Sequence, residues 1–314
     1  MAEAPDQEFS RKGEKRGRKR ASELGIWFFK KCLRFFGLRG AYGLLYVVAL
    51  HYALFERSLV ASAAPYIRRR FPGCGVLEER LHAYRIFVSQ GKQLIDRYAA
   101  VSGYEVFEIR LKGGGELLSA IRDSKKGAVL LTSHQGNWQV AMTALQEMGE
   151  IVHLVMVPDR NPALEQTLYP KGEGGNVRII SPQQYLGGVI EIMSVLRKGQ
   201  LVSIMGDRRY GARAVEVSFL GEKAWFPYSG FSLAAAAECP LVVLETTKVS
   251  TYSYTVDLSN VLYPRYEGRR NRIGQLQPWV QEFVTQMESF VKEHPYQCFL
   301  FRDVWAEERD NISE

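Results

Sequence analysis

The sequence predicts an α/β fold: a single domain with a mostly parallel or mixed central sheet flanked by helices, preceded by a helical, membrane-associating N-terminal arm. Three observations carry this expectation. From about residue 75, apolar runs of strand length alternate with segments of helical periodicity. One of those runs, Gly127-Ala128-Val129-Leu130-Leu131-Thr132, is continuously apolar, as a strand buried on both faces must be. The most basic and the most apolar stretches both lie upstream of the alternating region.

The chain of 314 residues divides into a disordered basic tail (1–21), an amphipathic and hydrophobic arm (22–74) and the α/β domain (75–314). The tail is polar and ends in Arg16, Arg18, Lys19 and Arg20. In the arm, a helix through Ile26–Phe36 places Lys30, Lys31 and Arg34 within an arc of ~100° and fills much of the rest with aromatics. Such a basic face beside an apolar one suits an anionic membrane surface.

The run Ala41–Phe55 follows, 15 residues that include His51. A spanning helix needs about 20 apolar residues. Three readings fit this run. It is a short or partly inserted anchor, extended through Phe35–Leu38; or a buried helix of the domain; or a signal peptide cleaved near Ala61-Ser62-Ala63. The long basic stretch and Arg57 speak against the last. Peripheral or monotopic attachment is the expectation. Were the run to span, its basic flank would favour a cytoplasmic N-terminus.

In the domain, apolar spacing predicts a helix over 78–100. Gly113–Gly115 forms a loop and Glu116–Arg122 a short helix. A strand at 127–132 leads to a helix at 137–148. A strand at 151–157 is followed by helices at 161–169 and 184–196, then by a strand at 201–205. Further elements are an Ala-rich helix at 229–237, a strand at 241–246, an alternating edge strand at 252–257, a helix at 278–292 and a last strand at 298–301.

Composition narrows the function. Hydrophobic residues at 46% and charged residues at 24% exclude a disordered chain and a polytopic membrane protein. Cys32, Cys74, Cys239 and Cys298 are far apart, with no C-x-x-C pair, which argues against a disulfide scaffold or zinc ribbon and for a reducing compartment. The net charge of +7 is concentrated: residues 1–39 carry eleven Lys/Arg against five Asp/Glu. A nucleic-acid partner, which calls for a basic groove across the fold, is not expected.

The segment Leu131-Thr132-Ser133-His134-Gln135-Gly136-Asn137-Trp138-Gln139 is the most informative. His134 stands where a buried strand ends and a helix begins, the edge at which open α/β sheets place their sites. A histidine there can take a proton from a hydroxyl, or can simply cap the strand. Gly136 permits close backbone approach and Asn137 can cap the next helix. Arg160, Arg208 and Arg209 follow strand ends, where guanidinium forks suit phosphate. Asp207, at another strand end, can bring a carboxylate near the site. His51, His82, His153 and His294 show no ligand spacing and read as structural, and Gly113–Gly115 lacks nucleotide-loop spacing. No metal motif is present.

These residues resemble the lysophospholipid acyltransferase superfamily, and within it the bacterial lipid A (lauroyl/myristoyl) acyltransferases. His134 with Gly136-Asn137-Trp138 is similar to that family's first block, His-x-Gly-Asn-Trp-Glu. Asp159-Arg160-Asn161-Pro162 resembles the second and Met205-Gly206-Asp207-Arg208 the third. Phe219-Leu220-Gly221 and Pro227-Tyr228-Ser229-Gly230 are similar to Phe-x-Gly and Pro-x-Gly stretches. Pro295-Tyr296-Gln297-Cys298 is similar to Pro-x-Gln-Trp, with Cys298 in place of the tryptophan. The likeness runs in order from about residue 80 to 306, and the arm resembles the family's N-terminal hydrophobic helix.

The resemblance implies a membrane-associated O-acyltransferase at the cytoplasmic face of a bacterial inner membrane. It implies acyl transfer from acyl carrier protein or coenzyme A to a hydroxyl of a lipid A-like or other lipid acceptor. His134 is then the general base. The donor thioester is a substrate and no cofactor is implied. The residue five positions after the histidine is acidic in the family and orients the imidazole; here it is Gln139, which can accept a hydrogen bond but carries no charge. Gln139 is assigned to catalysis beside His134, and Asn137, Arg160, Asp207 and Arg208 to substrate binding. Two alternatives stay open: a degenerate protein that binds acyl chains or acyl carrier protein, which the missing charge at Gln139 supports, and an acyl-thioester hydrolase that uses the same histidine with water as acceptor.

Overall fold

The computed structural model describes residues 5–104, 106–147, 149–156, 177–183, 188–209, 213–268 and 270–306, with side-chain detail from Phe29 onward. The arm comprises α1 (Pro5–Phe55) and α2 (Arg57–Arg70). Helix begins at Pro5, inside the stretch expected to be disordered. Proline suits the first helical turn, and none recurs before residue 65. A kink divides α1 at Gly37, whose φ of 65° is one that a side chain would disfavour. Phe29–Phe55, 27 residues, is long and apolar enough to cross a bilayer, so the apolar helix is longer than the run of 15 that the sequence singles out. Only one side of it is free. Leu38, Ala41, Tyr42, Leu45, Ala49 and Ala53 recur at helical spacing and are buried, with α3 (Val76–Val101) as the main neighbour.

The domain's elements in chain order are β1 (Glu108–Lys112), α4 (Gly114–Ser124), β2 (Ala128–Thr132), α5 (Trp138–Glu147), β3 (Val152–Val155), β4 (Val177–Ile180), α6 (Val189–Arg197) and β5 (Leu201–Met205). Then come β6 (Ala214–Phe219), β7 (Glu222–Pro227), α7 (Ser229–Ala237), β8 (Leu241–Lys248), β9 (Ser253–Leu262) and α8 (Arg272–Glu293). Seven strands form one sheet in the order β1-β9-β8-β2-β5-β3-β4. From β8 to β4 all neighbours are parallel; β9 runs antiparallel to β8, and β1 runs with β9. The hairpin β6–β7 stands apart.

β2 is buried along its whole length and its side chains divide the core. Ala128 and Leu130 face the layer of α4 and α5, against Leu117, Leu145 and Val242. Val129 and Leu131 face the layer of α7, α8 and the hairpin, against Phe226, Phe231 and Phe283. Each such Leu or Val contributes about 1.5–3 kcal/mol by leaving water. This fixes β2 at the sheet centre and determines where its carboxyl end, and His134, emerge.

Three expectations are corrected. Residues 253–257 belong to β9, which lies inside the sheet; the edge strands are β1 and β4. Residues 298–301 form no strand, only a single bridge between Gln135 and Cys298. The last helix starts at Arg272, so Pro278 is internal to it. Val189–Arg197 is helical, and residues 184–187 of the helix expected at 184–196 lie outside the described residues. The predicted helix at 161–169 lies outside the described residues.

Candidate active site

Beyond Thr132 the chain turns through Ser133–Asn137, held on three sides. On the sheet side, Gly206 N–H donates to Thr132 O at 2.7 Å, tying the end of β5 to the end of β2. On the C-terminal side, Phe299 N–H donates to His134 O at 2.7 Å and Gly136 N–H to Gln297 O at 2.8 Å. The Gln297 amide in turn accepts from Lys248 N–H at 2.8 Å and donates to Lys248 O at 3.0 Å, which pins that segment to β8. On the arm side, Asn137 Nδ2 donates to Gln93 O of α3 at 3.1 Å. Gly136 is required here. Its φ is 55°, and a Cβ would sit 1.4 Å from Thr246 O.

This turn presents His134 to Asp207. His134 Nδ1 lies 2.9 Å from Asp207 Oδ1, and the His134 backbone N–H donates to Asp207 Oδ2 at 2.5 Å. The Asp207 side chain is fully buried, whereas the His134 side chain is partly open. Nδ1–H donating to the carboxylate leaves Nε2 as the basic nitrogen. Attraction to Asp207 raises the His134 pKa above its ordinary 6.5; burial opposes this, as do the positive charges of Arg208 and Arg302. The pair has the geometry of an oriented base, with a buried carboxylate able to stabilise the imidazolium formed on proton uptake.

The residue expected to orient His134 does something else. With its amide turned to match its neighbours, Gln139 donates to Asn137 Oδ1 at 2.9 Å. It accepts from Arg97 Nη1 at 3.1 Å and from Trp138 Nε1 at 3.2 Å. Its side chain thus braces the start of α5 against α3. Asn137 is buried and also faces α3, so its side chain serves the scaffold where substrate contact was expected. Asp207, assigned to substrate binding from sequence, stands behind the imidazole. Arg208 lies next to it, and Arg209 Nη2 donates to Ala306 O at 3.0 Å. Arg160 lies outside the described residues, as does its block.

Sequence reasoning missed a polar cluster under the site. Asp96 of α3 is buried and accepts from Tyr42 of α1, from Tyr254 of β9 and, at 2.5 Å, from Lys248 Nζ of β8. Asp96 and Arg97 interrupt the apolar pattern of α3, the one visible signal. His82 bonds Tyr296 and stacks on Phe71, and His153 bonds Gln200; neither is at the site. Among the described residues, no cluster of three or more His, Cys, Asp or Glu is placed to hold a metal ion.

A mostly parallel α/β sheet with a carboxylate-paired histidine at the carboxyl end of its central strand defines a class of fold and site suited to proton abstraction from a substrate hydroxyl. Residues 100–307 match the family of bacterial lipid A biosynthesis acyltransferases, and the chain belongs to it. It is accordingly an acyltransferase. No curated protein matches the chain.

Proposed function

We propose that the protein moves a fatty acyl chain from an acyl thioester, on acyl carrier protein or coenzyme A, to a hydroxyl of a lipid A-like or other glycolipid or phospholipid acceptor. It does so at the cytoplasmic face of the inner membrane. The observation that carries this reading is the His134–Asp207 pair at the end of β2, in a chain of this family. His134 Nε2 accepts the acceptor's hydroxyl proton as the oxygen attacks the thioester carbonyl. The thiolate then leaves, taking a proton from the imidazolium. Asp207 holds the tautomer and stabilises the charged ring; Arg208, and Arg160 from sequence alone, bind phosphate on the substrates. The missing charge at Gln139 does not argue against catalysis, because Asp207 occupies the role for which a residue at 139 was expected.

The test follows the label from radiolabelled acyl carrier protein in a total lipid extract. Wild-type protein is expected to move the label into one lipid species. His134→Ala is expected to abolish that movement. Label released only as free fatty acid would favour hydrolysis, and equal transfer by His134→Ala would refute the proposed base.

A further inference from the structure

The turn that carries His134 is threaded by a closed circuit of hydrogen bonds that begins and ends on α3. Gln93 O accepts from Asn137 Nδ2 at 3.1 Å. Gly136, next in the turn, donates its N–H to Gln297 O at 2.8 Å. The Gln297 amide bonds both backbone groups of Lys248. Lys248 Nζ then reaches Asp96 Oδ2 at 2.5 Å, about one helical turn along α3 from Gln93. His134 lies two residues before Gly136 and takes its place from the turn that these bonds close.

Within this circuit, Asp96–Lys248 is the one link made of charges, and such a link is costly to bury. The Asp96 side chain is fully buried and that of Lys248 nearly so. Burial pushes the Asp96 carboxyl up and the Lys248 ammonium down in pKa, each against the attraction of the other. Apolar side chains of similar volume often fill such a place with no loss of stability. What they do not supply is direction. Here the ammonium is aimed by Asp96, by Thr251 O at 3.0 Å and by the Tyr254 ring, whose centroid is 4.6 Å away. The carboxylate is aimed in turn by the hydroxyls of Tyr254 and of Tyr42 in α1.

We propose that the buried Asp96–Lys248 pair positions the His134 turn, and that Tyr42 makes this positioning depend on the seated arm. Asp96, Lys248 and Tyr42 are positioning residues; none takes part in the proton transfers of His134. The inference rests on the reading of His134 as the base, and it gives the arm a part at the site.

The experiment uses the full-length protein in detergent. Asp96→Leu with Lys248→Met replaces the pair by apolar side chains of similar size and removes one charge of each sign. The charges that set the His134 pKa, those of Asp207, Arg208 and Arg302, stay in place. Three quantities are read: the thermal melt, the titration of the His134 ring by NMR, and kcat and KM for acyl transfer. The melt is expected to move by no more than about 4 °C. The ring should lose part of its alignment with Asp207, so its midpoint, held above 6.5 by that carboxylate, should fall toward 6.5. kcat should drop about 10- to 100-fold with KM unchanged, the scale expected when a reacting group is misplaced by about 1 Å. Tyr42→Phe removes a single hydroxyl from Asp96. It should move the midpoint the same way and lower kcat about 2- to 10-fold.

A folded double variant with the wild-type midpoint and kcat overturns the proposal, as does one in which only KM changes. Should the double variant not fold, Tyr42→Phe decides alone, and a wild-type midpoint in it overturns the proposal. Wild-type values in Tyr42→Phe beside a double variant that has lost them overturn the part given to the arm. The two readings fail separately. A lowered midpoint in the double variant, with no transfer by wild type, keeps the positioning pair and refutes the transfer reading. Transfer by wild type, with the midpoint and kcat unchanged in the double variant, does the reverse.

Discussion

Replacing Asp207 tests the pairing most directly, because it acts on rate and on pH dependence at once. Its charge raises the His134 pKa above 6.5. A base must be neutral to act, so kcat/KM is expected to rise with pH through a midpoint above 6.5. Stability runs the other way: the charged pair contributes fully below the unfolded value of 6.5, and the contribution is lost as pH rises through the folded value. Asp207→Asn should shift the kinetic midpoint to lower pH and reduce kcat by about 10³- to 10⁴-fold, by analogy with loss of the orienting carboxylate in serine proteases. A midpoint that stays in place would show that Asp207 does not govern the imidazole. Gln139 should behave differently. Gln139→Ala removes one hydrogen bond each from Arg97, Trp138 and Asn137 and should cost about 1–3 kcal/mol in urea unfolding. Gln139→Glu should give no gain in kcat, since its side chain points to α3; faster turnover would mean that position 139 reaches the histidine.

At the scale of elements, the β8–β9 ladder places Glu245 opposite Asp257, two carboxylates across one pair. Burial, then Asp257 and Glu293, push the Glu245 pKa up to about 7 from 4.5. A carboxylate raised in the folded state makes folding less favourable as pH rises from 4.5 to 7, and the deficit persists above that. Glu245→Gln should therefore raise stability at pH 8, by on the order of 3 kcal/mol at most, and change little at pH 4. Thermal melts at the two values check this; equal shifts at both would place the cause elsewhere. The same strands show what was legible in the sequence. β2, β5 and β8 are apolar runs buried on both faces, so composition reveals them. β1 is Glu-Ile-Arg-Leu-Lys, an edge strand with one wet face and only two apolar residues, and it was missed. β9 alternates because its two faces differ in burial, and alternation does not say whether a neighbour lies beyond it. The hairpin β6–β7 turns at Leu220 and Gly221, both at positive φ, and leucine is not a residue that signals such a turn. At the site, a position at a buried strand's end left His134 open between base and strand cap, and its likeness with Gly136-Asn137-Trp138 to the family's first block decided for the base. Its partner was legible only as a carboxylate at another strand's end, because the adjacency of β2 and β5 is a fact of topology.

At the scale of the whole molecule, the question is how the arm meets the membrane. The apolar helix is long enough to span, but spanning would mean detaching a face already in use. Leu38, Ala41, Tyr42, Leu45, Ala49 and Ala53 are buried, and the Tyr42 hydroxyl bonds the Asp96 carboxylate that also holds Lys248. Releasing α1 would uncover that apolar surface and leave the buried charges short of a partner, at several kcal/mol. The other face is free and apolar: Phe35, Phe36, Val47, Leu50, Leu54 and Phe55 are exposed, as are Val76 and Leu77 at the start of α3. Exposed Lys31, Arg34, Arg39 and Arg57 lie along the same arm. An aromatic surface carried on the body, with cations along it, suits a helix lying in the plane of an anionic membrane. Two outcomes follow. Phe36→Glu with Phe55→Glu should weaken flotation with phosphatidylglycerol vesicles while leaving the fold intact by circular dichroism. A tag at the N-terminus and a protease site in the body should be cleaved from the same side of sealed inner-membrane vesicles. Cleavage from opposite sides would mean that α1 crosses the bilayer, and that the contact of Tyr42 with Asp96 gives way when the protein inserts.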